Sequence, residues 1–147
     1  MLRVFGFTLC LLLSGCASPP SGPYAERSTV NASVVGIIKA FDRAAIGVRG
    51  RSANGRELVS KYHMPGGDGY DYAGDKPERA YSKLRILGER RPYTLQVQYV
   101  IEKRDSRGVY KVTDYDLAKA ETILKDLMKY LVTRPGREDF IDDFRPF

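Results

Sequence analysis

Cysteine is nearly absent from this 147-residue chain: there are two, Cys10 and Cys16, and both fall in its first sixteen positions. Beyond Cys16 the chain has no thiol, which excludes an internal disulfide, a cysteine nucleophile and a cysteine-based zinc site from that part. Histidine is scarcer still, with His63 standing alone. It neighbours Met64, Asp68 and Asp71, but it has no second His and no Cys to complete a metal site, so it is expected to be a surface or packing residue at a strand end. No Gly-x-Ser-x-Gly, His-Glu-x-x-His or Walker-type run occurs. These absences leave no residue to assign as catalytic and no metal or cofactor to expect. Only a carboxylate pair that meets in the fold would escape such a search. Long apolar runs are also lacking, since the N-terminal stretch Val4 to Leu13 is too short to span a bilayer.

That stretch follows a small basic start, Met1-Leu2-Arg3, and ends in Leu13-Ser14-Gly15-Cys16. The pattern resembles the lipobox of bacterial lipoprotein precursors: Leu, a small residue, Gly or Ala, then Cys. The resemblance implies that residues 1–15 are a signal peptide, cut between Gly15 and Cys16. It also implies a diacylglyceryl thioether on Cys16 and usually an acylated amine, carrying palmitate-type chains. Each buried CH₂ contributes roughly 0.8 kcal/mol, so two or three chains make attachment stable. Ala17 follows the cysteine where Asp commonly retains such proteins at the inner membrane. The resemblance therefore implies the outer membrane, with the folded part facing the periplasm. Residues 16–29, beginning with the Pro/Ser/Gly segment Ala17 to Pro23, are expected to form a tether. Fully extended, it would reach at most roughly 40 Å.

The remainder has the composition of a globular domain, 43% hydrophobic, and is expected to fold as one α+β domain over residues 30–135. Val34, Ile37, Ile38, Phe41 and Ala45 recur at helical steps and predict a helix over Asn31 to Ala45, capped by Asn31 or Ser28, with a strand as the alternative because Gly36 and the β-branched Val34-Val35 disfavour a helix. Asn54-Gly55 separates two short strand-like segments and predicts a type I′ hairpin. Tyr81 to Leu87 is a strand candidate. Tyr93, Leu95, Val97, Tyr99 and Ile101 then alternate with mostly polar residues, as in an antiparallel sheet solvated on one face. After a turn at Asp105 to Gly108, Val109 to Thr113 is the next strand. Leu117, Ala120, Leu124, Leu127 and Leu131 define a closing helix capped by Thr113 or Asp114. The expected architecture is an N-terminal helix, an antiparallel sheet of about five strands, and a C-terminal helix packed on the sheet.

Three features are candidates for function. Gly66-Gly67-Asp68-Gly69-Tyr70-Asp71 matches the opening of a calcium-binding nonapeptide, but sites of that kind are shared between stacked repeats and this chain has one copy; a surface loop is expected. Charge is uneven. The net +6 becomes +5 once Arg3 leaves with the leader, and Arg79 to Lys111 holds nine basic against three acidic residues. Lys83 and Arg85 should share one strand face, with Arg90 and Arg91 at the adjoining turn, as an anion-binding patch. In the terminal segment 136–147, Phe140, Ile141 and Phe144 share one face of a short helix, which would close the core or dock on a partner. With the envelope lipoprotein that the lipobox resemblance implies, these features suggest a non-enzymatic accessory or structural interaction module. Its expected partners are the membrane, another envelope protein or peptidoglycan, and not nucleic acid. The rival is a binder of an anionic or polymeric ligand (a lipid headgroup, lipid A phosphate or peptidoglycan), with Tyr62, Tyr70, Tyr72, Tyr93 and Tyr99 as stacking surfaces.

Overall fold

A computed structural model describes residues 22–66 and 76–132. Its elements are β1 (Ala25–Val30), α1 (Val34–Ala44), β2 (Val48–Arg51), β3 (Glu57–Ser60), β4 (Glu78–Leu87), β5 (Tyr93–Arg104), β6 (Tyr110–Tyr115) and α2 (Leu117–Val132). They form a single α+β domain: an antiparallel sheet in the order β1-β5-β4-β3-β2, with β6 also paired to β5 and both helices packed on the sheet.

β5 organises the sheet. The alternation read from its sequence puts Tyr93, Leu95, Val97 and Tyr99 in the core, beside Ala80, Ser82, Leu84 and Ile86 of β4. Its far edge serves two strands end to end: β1 pairs with the first half (Ala25 opposite Val97) and β6 with the second (Tyr115 opposite Val100). Residues 25–29, counted with the tether on sequence grounds, thus lie in β1. Only Ala25 and Val30 of this strand are buried, so its sequence carries almost no apolar signal.

α1 starts at Val34 because Ser33 caps it: its hydroxyl accepts the Gly36 N–H at 3.0 Å. The expected caps Asn31 and Ser28 precede it. Ile37, Ala40 and Phe41 form its buried face, at helical spacing, despite Gly36 and the β-branched Val34-Val35. α2 is capped by Asp116, whose carboxylate accepts the Lys119 N–H at 2.9 Å. Thr113 and Asp114, the expected caps, belong to β6. Ala120, Leu124 and Leu127 face inward from α2 against α1, β1 and β5.

The hairpin at Asn54-Gly55 forms, but not as a two-residue type I′ turn. Only Gly55 has positive φ, +68°, whereas type I′ requires it at both central residues. The Gly55 N–H donates to the Ser52 carbonyl, and Asn54 Oδ1 accepts from the Ser52 hydroxyl and the Arg56 N–H, so the loop is held by side chains.

Candidate functional site

Both helices cover the same face of the sheet. No helix among the described residues covers the other face, called the open face below, and strand alternation fills it mostly with polar and aromatic residues: Tyr81, Lys83 and Arg85 from β4, Gln96, Gln98 and Glu102 from β5, and Glu57 from β3, with Val59 beside them.

Across this face runs a row of arginine and tyrosine. The Arg79 guanidinium lies between two rings, its Cζ 3.7 Å from the Tyr62 centroid and 3.5 Å from that of Tyr110, and its Nε donates to Glu102 Oε2 at 2.7 Å. Arg49 of β2 covers Tyr62 from the other side, 3.9 Å from its centroid. Tyr81 meets Tyr62 edge to face at 5.8 Å. Arg104 completes the far end, 5.9 Å from the Tyr110 centroid. The row Arg49-Tyr62-Arg79-Tyr110 crosses the strand direction and ties β2, the segment after β3, β4 and β6 into one rigid surface. Burial first, then the nearby Glu102 carboxylate, raises the Tyr81 phenol above its ordinary value, so it remains a neutral hydroxyl.

Arg79 is a strut, with only 16% of its side chain exposed. Arg79→Ala should lower stability by about 1–2 kcal/mol, through two lost ring contacts and an unpaired Glu102. A urea melt tests this, and a change under about 0.3 kcal/mol would show that the row does not brace the sheet.

The anticipated patch is brought together in part. Lys83 and Arg85 do share the open face, but Glu57 stands opposite them, 3.4 Å from Lys83 Nζ and 3.1 Å from Arg85 Nε, and offsets one charge. Arg90 and Arg91 sit beyond the strand ends in the β4–β5 turn, Arg90 exposed and Arg91 half-buried. The face as a whole remains net positive: Arg49, Arg79, Lys83, Arg85 and Arg104 against Glu26, Glu57 and Glu102.

Of the tyrosines considered for stacking, Tyr93 and Tyr99 are core residues and Tyr62 is in the row. Tyr70 and Tyr72 lie outside the described residues, as do Phe140, Ile141, Phe144 and all of the glycine loop except Gly66. The partners of Tyr62 escaped the sequence reading because they come from separate strands. The sign that could have found Arg79 and Tyr81 is the strict polar alternation of β4, opposite Ala80, Ser82, Leu84 and Ile86.

His63 lies on the helical side, 4% exposed, with its backbone bridged to Ala80. Its Nε2 is 2.9 Å from the Tyr99 hydroxyl and its Nδ1 is 3.4 Å from the Lys61 carbonyl. Burial lowers the imidazole below its ordinary value, a carbonyl bond to Lys61 raises it, and the nearby Lys119 charge lowers it again. The arrangement is that of a neutral, packed histidine. Among the described residues, no group of three His, Cys, Asp or Glu side chains is placed to hold a metal.

A separate groove of about 480 Å³ runs between β1 and α2, with Ala25, Leu124 and Met128 in its floor and Glu26, Arg27, Glu121 and Lys125 at its rim. It contains none of the candidate residues. Comparison with known protein-family models and with curated proteins found no match to this chain.

Proposed function

We propose that the protein is a lipid-anchored envelope lipoprotein, held to the outer membrane through Cys16, whose folded domain is a non-enzymatic interaction module. The open sheet face is its contact surface. The observation that carries this reading is the one-sided sheet: two helices bury one face, and the other is braced by the arginine–tyrosine row and left net positive. What supports the anchor is the Leu13-Ser14-Gly15-Cys16 run at the end of a short apolar leader.

The rival reading, a binder that stacks a ligand on tyrosines in a cavity, loses two of its rings to the core. No helix among the described residues is long and apolar enough to cross a membrane.

Two measurements in cells test the proposal. The wild-type chain should incorporate labelled palmitate and Cys16→Ser should not; equal labelling of both would refute the anchor. A photo-crosslinking residue at Val59, on the open face, should capture an envelope component, whereas one at Asp126, on the exposed side of α2, should not. Capture from Asp126 alone would move the contact surface to the helices.

A further inference from the structure

The tether does not leave the domain at β1. Before that strand the chain is fixed on the open face: the Gly22 carbonyl accepts from Gln98 Nε2 at 2.7 Å, and Gly22 lies so close against the Tyr115 ring that a Cβ there would overlap it. Gln98 stands opposite Lys83, and Tyr115 opposite Val100, both on the open side of the sheet. Gln98 and Val100, which strand alternation points away from the helices, are buried.

This fixed point changes the reach of the anchor. From Cys16 to Gly22 there are six chain steps, spanning at most about 20 Å, half of what a tether running to Thr29 would allow. The chain therefore leaves the domain from the face that is net positive and lined by tyrosine and arginine. Both side chains suit a membrane boundary, tyrosine by its polar tip on an apolar ring and arginine by its long stem and phosphate-matching head. Basic groups are drawn to anionic headgroups within a Debye length, about 8–10 Å, and the short tether confines the face to within about two such lengths of the membrane, from which attraction can draw it into contact.

Resting on the lipoprotein reading, we propose that the open face lies against the anionic phospholipid headgroups of the membrane that holds the anchor. The helical face and the β1–α2 groove then point away from the lipid. Lys83 and Arg85 make the outer contact, while Arg79 and Tyr62 stiffen the surface behind them.

The test uses the full lipidated chain in vesicles of phosphatidylcholine with about 30 mol% phosphatidylglycerol. Because Cys16 is alkylated, single cysteines can be introduced for a fluorophore: Val59→Cys or Thr94→Cys on the open face, and Asp126→Cys on α2. Lipids bearing a nitroxide in the headgroup should quench the open-face labels at least about threefold more than the α2 label. That difference should disappear in pure phosphatidylcholine, and in a Lys83→Gln/Arg85→Gln variant whose melting is unchanged. Equal quenching of both faces, in protein that still floats with the vesicles, would overturn the apposition and leave the anchor standing. Equal quenching together with a protein crosslinked to Val59 in cells would assign the face to a protein partner. A purified chain whose mass lacks the diacylglyceryl group would remove the lipoprotein reading itself, and the apposition with it.

Discussion

Phe41→Ala should lower the free energy of unfolding by about 3–5 kcal/mol, a large share of the roughly 5–15 kcal/mol that holds a domain of this size. Phe41 has no solvent exposure and is the largest fully buried side chain among the described residues. It comes from α1, and with Ile37 it shares a cluster with Leu58 and Leu84 of the sheet and Leu127 of α2. Removing the ring takes away apolar area and leaves a void between three elements that cannot all shift to fill it. Chemical denaturation gives the measurement. Phe41→Leu, which keeps most of the volume, should cost clearly less, and Val35→Ala, at a 40% exposed position of the same helix, should change stability by under about 0.5 kcal/mol. A Phe41→Ala curve superimposable on that of the wild type would mean that α1 is not part of the cooperative core.

Tyr99→Phe should be the next most damaging of these changes, at about 1–3 kcal/mol, because it leaves His63 Nε2 buried without its partner. The same pair gives the protein a dependence on pH. The folded imidazole is held below its ordinary value, about 6.5, which the unfolded chain retains. Above that pH both states carry a neutral ring and the packed histidine contributes fully. As pH falls below it the unfolded chain binds a proton first, so stability declines until the lower folded value is passed. Among the described residues, the groups facing the ring are the Tyr99 hydroxyl, the Lys61 carbonyl and Lys119, and none of these is an anion that would favour the charged form. The loss of stability between pH 7.5 and 5 should therefore be smaller in His63→Gln than in the wild type, even if His63→Gln is weaker at both values. Identical slopes in the two proteins would place the pH dependence in the carboxylates instead.

The parts of the fold that were legible in the sequence are those where one segment decides its own environment. β5 announces its core face through five alternating apolar residues, and α2 through its leucine stripe. β1 could not be found this way. Its Glu26-Arg27-Ser28-Thr29 is polar throughout, and what makes it a strand is the edge offered by β5 some 70 positions later. Local hydrogen bonding explains the shifted helix starts: Ser33 and Asp116 each stand three residues before the N–H they accept from, while the other polar candidates are taken up by strands or loops. The same limit governs the site. Lys83 and Arg85 were visible as a charged pair because they lie two apart on one strand, whereas Glu57, which offsets them, arrives by register from β3. The arginine–tyrosine row needs four segments at once, and no stretch of chain encodes it alone.

The borders of the sheet carry a further consequence. Each border strand, β1, β2 and β6, is six residues or shorter, and its pairing shifts register part-way: between Arg27 and Val30, between Val48 and Gly50, and opposite Ile101 and Glu102. Each also shows charge outward, with Glu26 and Arg27, Arg51, and Lys111 exposed. A second copy approaching edge-on meets an interrupted ladder and a like-patterned fringe of ions instead of a straight row of open amides. Copies crowded together on one surface would thus slide past one another without knitting into a continuous sheet, and the domain would stay dispersed at densities where a plain-edged sheet would aggregate.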